Sequence, residues 1–309
     1  SGSATVLAVG LALPLAGLFI KTRLPGRWWM QLALLAPLVV PPHVLSLAWL
    51  QWAGPVGFLQ TWIRRILGLH GVLWSLYGPG GIVLLLTIFS LPIAYLALAG
   101  GLVKIPRSVE EAAMCDGAST WQVWRYIIAP LMSPYATAAI ILCFLGNLGN
   151  FGIPALLGIP AQYTTLPTLI YRQVTSFSGS AFGNAAALGL LLGLPSLLAL
   201  AAQGQSGIRR EVRLLDQVES AMWQYSLGRS RWPLAFCLAV LIALVTLGPF
   251  FAMGATSLIR AYGLPLTWEN LTLDHFRFVL FELERARIAL KNSLLLAAGA
   301  AVICSAIGF

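Results

Sequence analysis

The strongest constraint in this sequence is a succession of seven apolar runs. Each is long enough, or nearly so, to cross a hydrocarbon core that needs about 20 helical residues. They cover roughly 4–20, 28–49, 82–103, 132–151, 182–202, 233–259 and 289–309. Of the 309 residues 59% are hydrophobic and only 9% charged, against about 25% charged in a soluble domain. No water-soluble fold hides that much apolar surface. The pattern predicts an all-α, polytopic transmembrane helix bundle of about seven spans. The first run follows Ser-Gly-Ser and not a basic segment, so it reads as a span that lost its start, not as a secretory signal.

The basic residues set the orientation. Loops 21–27, 104–131 and 203–231 carry 11 of the 19 Lys and Arg, and the alternate loops carry 8. The short loop with Lys21, Arg23 and Arg27 weighs most, because positive charge orients best in short loops. It places these three loops in the cytoplasm. The net charge of +9 suits a chain facing anionic lipid. It does not indicate nucleic acid, since the cations are spread between apolar runs with no basic face. All eleven Trp residues sit at run ends or in loops, as in an interfacial belt. Cys115, Cys143, Cys237 and Cys304 are isolated, and His43, His70 and His275 are scattered. No zinc pattern, disulfide framework or catalytic constellation is present, so the chain reads as a transporter and not an enzyme.

Pro14, Pro37, Pro41, Pro42, Pro92, Pro195 and Pro249 interrupt the runs. Each removes a helix hydrogen bond, and the freed carbonyls need neighbouring helices or a water-lined cavity. A weak repeat is also visible: Ala300-Ala301-Val302-Ile303 resembles Ala4-Thr5-Val6-Leu7. On that alignment residues 1–202 are an incomplete first unit of about five spans. Residues 203–231 are a cytoplasmic linker, and 232–309 open a second, truncated unit of about two spans. The chain then reads as a fragment of a duplicated protein.

One loop, 104–131, carries most of the local pattern. Ser108 and Glu111 have capping-box spacing, as do Ser119 and Gln122, so each pair predicts a short helix. Gly117 lies between them, where a left-handed residue would stop the first helix. Pro130 suits the first turn of the next span. The expected product is a helix–turn–helix hairpin with Trp121, Trp124 and Tyr126 on its sides. Such a hairpin either docks on another surface or lies flat on the membrane interface.

Glu111-Ala112-Ala113, three residues, Gly117, nine residues, Ile127, then Pro130 resembles the EAA motif of ABC importer permeases. Ala129 stands where that motif has Leu. The resemblance implies a coupling helix seated in a groove of an ATP-hydrolysing subunit. Glu111, Ala112, Ala113 and Gly117 would make the contact, with Ile127 and Pro130 setting the return into the membrane. It further implies a dimeric ATPase carrying ATP and Mg²⁺, a periplasmic or lipid-anchored substrate-binding protein, and a place in the bacterial inner membrane. No G-x-x-x-x-G-K-[ST] occurs in the chain, so ATP and Mg²⁺ belong to that partner and no cofactor is expected here. Residues 150–160 and 165–171 resemble the ferric-iron subfamily, whose members often fuse two permease halves. Similar fused permeases serve thiamine and phosphonate.

Asn147 and Asn150 sit three apart on one helix face and are candidates for the translocation path. Close helix packing through interhelical hydrogen bonds is the alternative. His43, an ionisable group in an apolar run, is a third candidate, and a structural role is equally open for it. No carboxylate–Tyr–His set that would hold Fe³⁺ accompanies them, so no metal site is expected. An ion-coupled secondary transporter is the rival class. It needs acidic residues within the spans, and all ten Asp and Glu lie outside the apolar runs.

Overall fold

The computed structural model describes residues 1–176, 179–205, 225, 227–261, 263–264 and 267–308. Most of the expected linker, 206–224 and 226, lies outside the described residues. Among the described residues no β-strand forms, and only two isolated bridges occur. Six helical stretches are long and apolar enough to cross a membrane, and a bent helix pair makes a seventh candidate.

The first span is α1 (Gly2–Lys21). Ala4, Ala8, Ala12 and Ala16 recur every fourth residue and are all fully buried. Small side chains at this spacing let backbones approach closely, and α1 packs along α5 (Pro79–Val103) over most of its length. The edge-to-face pair of Phe19 and Tyr95, 6.0 Å between centroids, adds shape to that seam.

The run 28–49 is not one straight span. It splits into α2 (Arg27–Val39) and α3 (Pro42–Ala53), and the stretch Pro42–Leu67 that α3 opens turns by 114° from α2. Pro41 has no N–H to continue the α2 ladder, and its own backbone is extended (φ −56°, ψ 141°), so the helix stops at Val39. Gln31 Nε2 donates to Tyr95 Oη at 2.8 Å, tying α2 to α5. Next comes α4 (Phe58–Leu67), anchored by buried Gln60. Its amide donates to the carbonyls of Ala53 and Trp74, and its oxygen accepts from Leu73 N–H.

After α5 come α6 (Arg107–Cys115) and α7 (Thr120–Val123). A π-helical turn, Trp124–Ile128, leads without a break into α8 (Ala129–Leu148), so the span runs from Thr120 to Leu148. Pro130 is second in α8, in a first helical turn as the sequence pattern expects. Pro130 sits inside a continuous helix, and the chain reverses at Gly117. The π turn explains the tolerance. Pro130 offers no N–H, and the widened turn before it, closed by Ala129 N–H on the Trp124 carbonyl, shifts the ladder around the missing donor. The same arrangement recurs at 243–249. There α12 (Arg231–Ile242) passes through a π turn at Ala243–Leu247 into α13 (Gly248–Ser257), with Pro249 second in the new helix.

Between α8 and α12 lie α9 (Gly152–Gly158), α10 (Leu166–Val174) and the span α11 (Ala181–Gln205). The short α14 (Asp274–Arg277) precedes the last span, α15 (Glu284–Gly308). Two Trp residues expected in the interfacial belt are instead wedges between helices. A Cβ at Gly17 would lie 2.7 Å from the Trp124 ring, and one at Gly248 would lie 2.8 Å from Trp52. Each indole occupies the notch its glycine leaves open.

Candidate functional site

Between α5 and α8 the chain makes one tight hairpin. Pro106, with φ −64° and ψ 139°, is the N-cap of α6, so helix begins at Arg107. Ser108 then falls inside the first turn and the box with Glu111 does not form, which corrects the expectation. Glu111 pairs instead with Arg107, one turn back. The guanidinium Nε donates to its Oε1 at 2.6 Å, and both side chains are roughly 40% exposed (43% and 41%).

The stop at Gly117 is built as the spacing predicts. Gly117 has φ +87°, a region most side chains avoid. Ala118 N–H donates to the Ala113 carbonyl and Gly117 N–H to that of Met114, each at 3.0 Å. These two bonds are a Schellman ending. Two residues on, the second capping box is present. Ser119 N–H donates to Gln122 Oε1 at 2.7 Å, and Gln122 N–H to Ser119 Oγ at 3.4 Å. One helix is thus closed and the next opened within a few residues.

The inward face of α6 holds Glu110, Ala113 and Met114, at the i, i+3, i+4 spacing of one helix side. Ala113 and Met114 pack against the apolar core. Glu110 is fully buried and ion-paired with Lys21, the last residue of α1, which is fully buried too. The second carboxylate oxygen of Glu110 accepts from the Tyr225 hydroxyl at 2.8 Å, and Tyr225 N–H donates to the Lys21 carbonyl at 2.7 Å. Burial, then the hydrogen bond and charge of Glu110, hold the Tyr225 phenol above its ordinary range. Trp124 supplies a second contact, seated against Gly17. Gly17 and Lys21 are one helical turn apart on the same face of α1, so both arms of the hairpin grip that face.

None of Glu110, Lys21 and Tyr225 stands out by motif. Lys21 reads as an orienting charge in sequence, and in the structure it is buried: of that loop's three cations only Arg23 and Arg27 are exposed. The signal for Glu110 was its place on the apolar face with Ala113 and Met114.

The outward side presents Ala112 and Gly117, half-exposed Glu111, and the largely uncovered rings of Trp121 (72%) and Tyr126 (70%). A shallow cavity of about 330 Å³, lined by Asp116, Gly117, Gln122, Tyr126 and Ile127 among others, lies at the turn. The motif residues therefore divide. Glu111, Ala112, Gly117 and Pro130 are accessible, whereas Ala113 and Ile127 pack against the core.

Asn147 and Asn150 lie at the other end of the bundle. Asn147 is buried, accepts from Ser90 Oγ at 2.7 Å and donates to Thr5 Oγ1 at 3.3 Å. It thereby joins α1, α5 and α8. Asn150 accepts from Ile153 N–H at 3.2 Å, capping α9. Both also line a cavity of about 250 Å³ with Ser1, Pro79, Tyr163 and Thr165. His43 does not join them. It is exposed in the first turn of α3, where its backbone abuts Gly152. Among the described residues no group of His, Cys, Asp and Glu is placed to hold a metal ion.

The described residues thus form a many-span helical chain with a clamped, partly apolar hairpin at one end. Residues 8–206 match the family described as "Binding-protein-dependent transport system inner membrane component". The chain belongs to this family of inner-membrane transporter subunits, which are not enzymes. It is 29% identical over 194 residues to the ferric transport system permease protein FbpB of Actinobacillus pleuropneumoniae, covering 63% of this chain and 27% of that protein. The chain thus spans little more than a quarter of that relative's length. It is also 29% identical over 199 residues to the molybdenum transport system permease protein ModB of Escherichia coli K12, covering 62% of this chain and 85% of ModB. A crystal structure of a bacterial alginate ABC transporter, in complex with an alginate-bound periplasmic protein, shares the fold. Its TM-score is 0.54 at 19% identity, over 67% of this chain and 73% of that one.

Proposed function

We propose that this chain forms membrane-spanning passage for an ATP-driven importer, with the α6 hairpin as the surface that meets the ATP-hydrolysing subunits. The observation that carries this reading is the two-sided build of the hairpin. Its inner side is locked to α1 by Glu110–Lys21 and by Trp124 on Gly17. Its outer side leaves Glu111, Ala112, Gly117 and Trp121 open to a partner. A hairpin that only rested on lipid would need no buried ion pair at its root. In this reading the α6 end faces the cytoplasm, ATP and Mg²⁺ sit on the partner, and a periplasmic or lipid-anchored binding protein delivers substrate to the opposite end. Asn147 and Asn150 border the entry there, and residues from 232 onward begin a second permease unit.

For the substrate we propose ferric iron first. The segments 150–160 and 165–171 and the likeness to FbpB support it. A molybdenum oxyanion is the second reading. ModB is matched over 85% of its length, and the Asn147 cavity sets Asn, Ser, Thr and Tyr side chains among apolar ones, with no carboxylate in its lining. Hard Fe³⁺ prefers anionic oxygen ligands, so under the iron reading the binding protein holds the ion and the permease only passes it.

Reconstitution with the ATPase and binding protein tests both levels. Gly117→Pro and Glu111→Arg are expected to abolish ATP-dependent uptake while the spans stay folded. Normal uptake by the Gly117→Pro protein would sink the coupling role. Uptake of radiolabelled iron against radiolabelled molybdate decides the substrate.

A further inference from the structure

A separate feature lies at the α6 end of the bundle, outside the hairpin. The α1–α2 turn and the start of α12 border an open cleft of about 310 Å³, lined by Arg23, Leu24, Pro25, Arg27, Arg231 and Trp232. Three arginines line one small space, and the Arg231 guanidinium lies over the Trp232 ring, 5.9 Å from its centroid. Among the described residues none of the three has a hydrogen-bond or ion-pair partner, and no carboxylate lines the cavity. Like charges around one cleft repel one another, and an anion between them offsets that repulsion. The first turn of α2 opens at the same place. Its N-cap, Gly26, has no side chain to accept from the free amides, and the helix runs for 13 residues. A helix start of this kind adds positive partial charge.

The depth of the cavity is marked as well. Trp232 lines it and Trp28 and Trp29 follow Arg27 in the chain, and the three are 63%, 67% and 74% exposed. Exposed indoles at the end of membrane spans sit at the head-group level. Buried Leu24 and the Trp232 ring provide an apolar wall beside the charged one.

We propose that this cavity binds the phosphate head group of an anionic glycerophospholipid, such as phosphatidylglycerol, from the leaflet at the α6 end. Guanidiniums pair with phosphate through two parallel hydrogen bonds. The flanking apolar surface receives the glycerol and the upper acyl chains. The lipid then links α1, α2 and α12, which share few direct polar contacts here. This assignment is independent of the transported substrate and of the ATPase.

The test titrates the purified, delipidated protein in detergent with phosphatidylglycerol and, in parallel, phosphatidylcholine, counting bound lipid by native mass spectrometry. One phosphatidylglycerol is expected to bind in preference to phosphatidylcholine. Each of Arg23→Gln, Arg27→Gln and Arg231→Gln should weaken it about fivefold, and the triple variant by on the order of a hundredfold. Arg172→Gln, far from the cavity, should bind as the unaltered protein does. The single variants change exposed side chains and test the site even where the triple fails to fold. Equal binding of the two lipids, or unaltered binding by the single variants, would overturn the proposal. Displacement of the lipid by millimolar inorganic phosphate would also overturn it, assigning the site to a soluble anion.

Discussion

Glu110→Leu should be among the most destabilising substitutions in this chain, and Lys21→Met should reverse most of the damage. Both side chains of the pair are fully buried. Opposite charges about 4 Å apart attract by ~4 kcal/mol at an effective dielectric constant near 20. Removing one member leaves the other charged and buried, which costs about 3–5 kcal/mol. Glu110→Leu also removes the acceptor of the Tyr225 hydroxyl, a hydrogen bond to a charged group worth roughly 1.5–3 kcal/mol. These overlap, because the same carboxylate serves both partners, so a total near the upper end of the first range is expected. In Lys21→Met/Glu110→Leu no charge is stranded. An ion pair replaced by apolar groups of similar volume is often neutral, or stabilised by about 1–4 kcal/mol. The double variant still leaves the Tyr225 hydroxyl without this acceptor, so it should lie within about 3 kcal/mol of the unaltered protein. Denaturant unfolding in mixed micelles, followed by tryptophan fluorescence, measures all three. A Glu110→Leu protein as stable as the double variant would refute the reasoning, since the ion pair would then contribute nothing that its loss exposes.

Three further outcomes follow from the same geometry. Gly117→Ala places a side chain at φ +87° and should cost about 1–2 kcal/mol, read as an earlier unfolding midpoint in the same assay. Asn147→Ala leaves Ser90 and Thr5 without their shared partner. It should cost near 0.6 and not more than ~1.7 kcal/mol, the range for polar contacts between membrane helices, and a larger loss would mean that the amide supports more than this contact. Tyr225 binds its proton more tightly in the folded state than the free phenol does, whose value is about 10. Its contribution is then complete below pH 10 and fades as pH rises further. The stability gap between the unaltered protein and Tyr225→Phe should stay constant from pH 7 to about 9 and shrink above 10, as pH-dependent unfolding curves would show.

Run length made the spans legible, because the bilayer imposes it on any helix that crosses. The break after Val39 was written in the sequence as Pro41-Pro42, yet hydropathy reports apolarity and not direction, so the run 28–49 reads as continuous. The hairpin shows the same division. Gly117 and the Ser119–Gln122 box depend on local backbone chemistry and stand where the spacing puts them. The Ser108 box failed because Pro106, two residues earlier, claims the N-cap position. The role of Glu110 was half visible. A helix that carries Glu110, Ala113 and Met114 on one side must bury a carboxylate or expose an apolar face. Which cation answers it depends on a contact 89 residues away in sequence, and no local pattern encodes that.

The two grips on α1 make one last claim that can be measured. Glu110 holds Lys21, and Trp124 fills the notch at Gly17. The two α1 residues are adjacent on one face, and the two hairpin residues lie on opposite arms of one clamped turn. If the arms act as a single rigid piece, loosening one grip shifts the other. Gly17→Ala, with its Cβ 2.7 Å from the Trp124 ring, should cost about 1–3 kcal/mol by overpacking. Combined with Lys21→Met, its effect should be non-additive by about 0.5–3 kcal/mol, as for residues that share partners. Combined with Asn147→Ala, whose amide meets α1 at Thr5, about 18 Å from Gly17 along the helix, it should be additive within ~0.5 kcal/mol. Additivity in the first cycle would mean that the hairpin touches α1 at two unrelated points. Movement at the turn would then be absorbed between them and not passed to the helix.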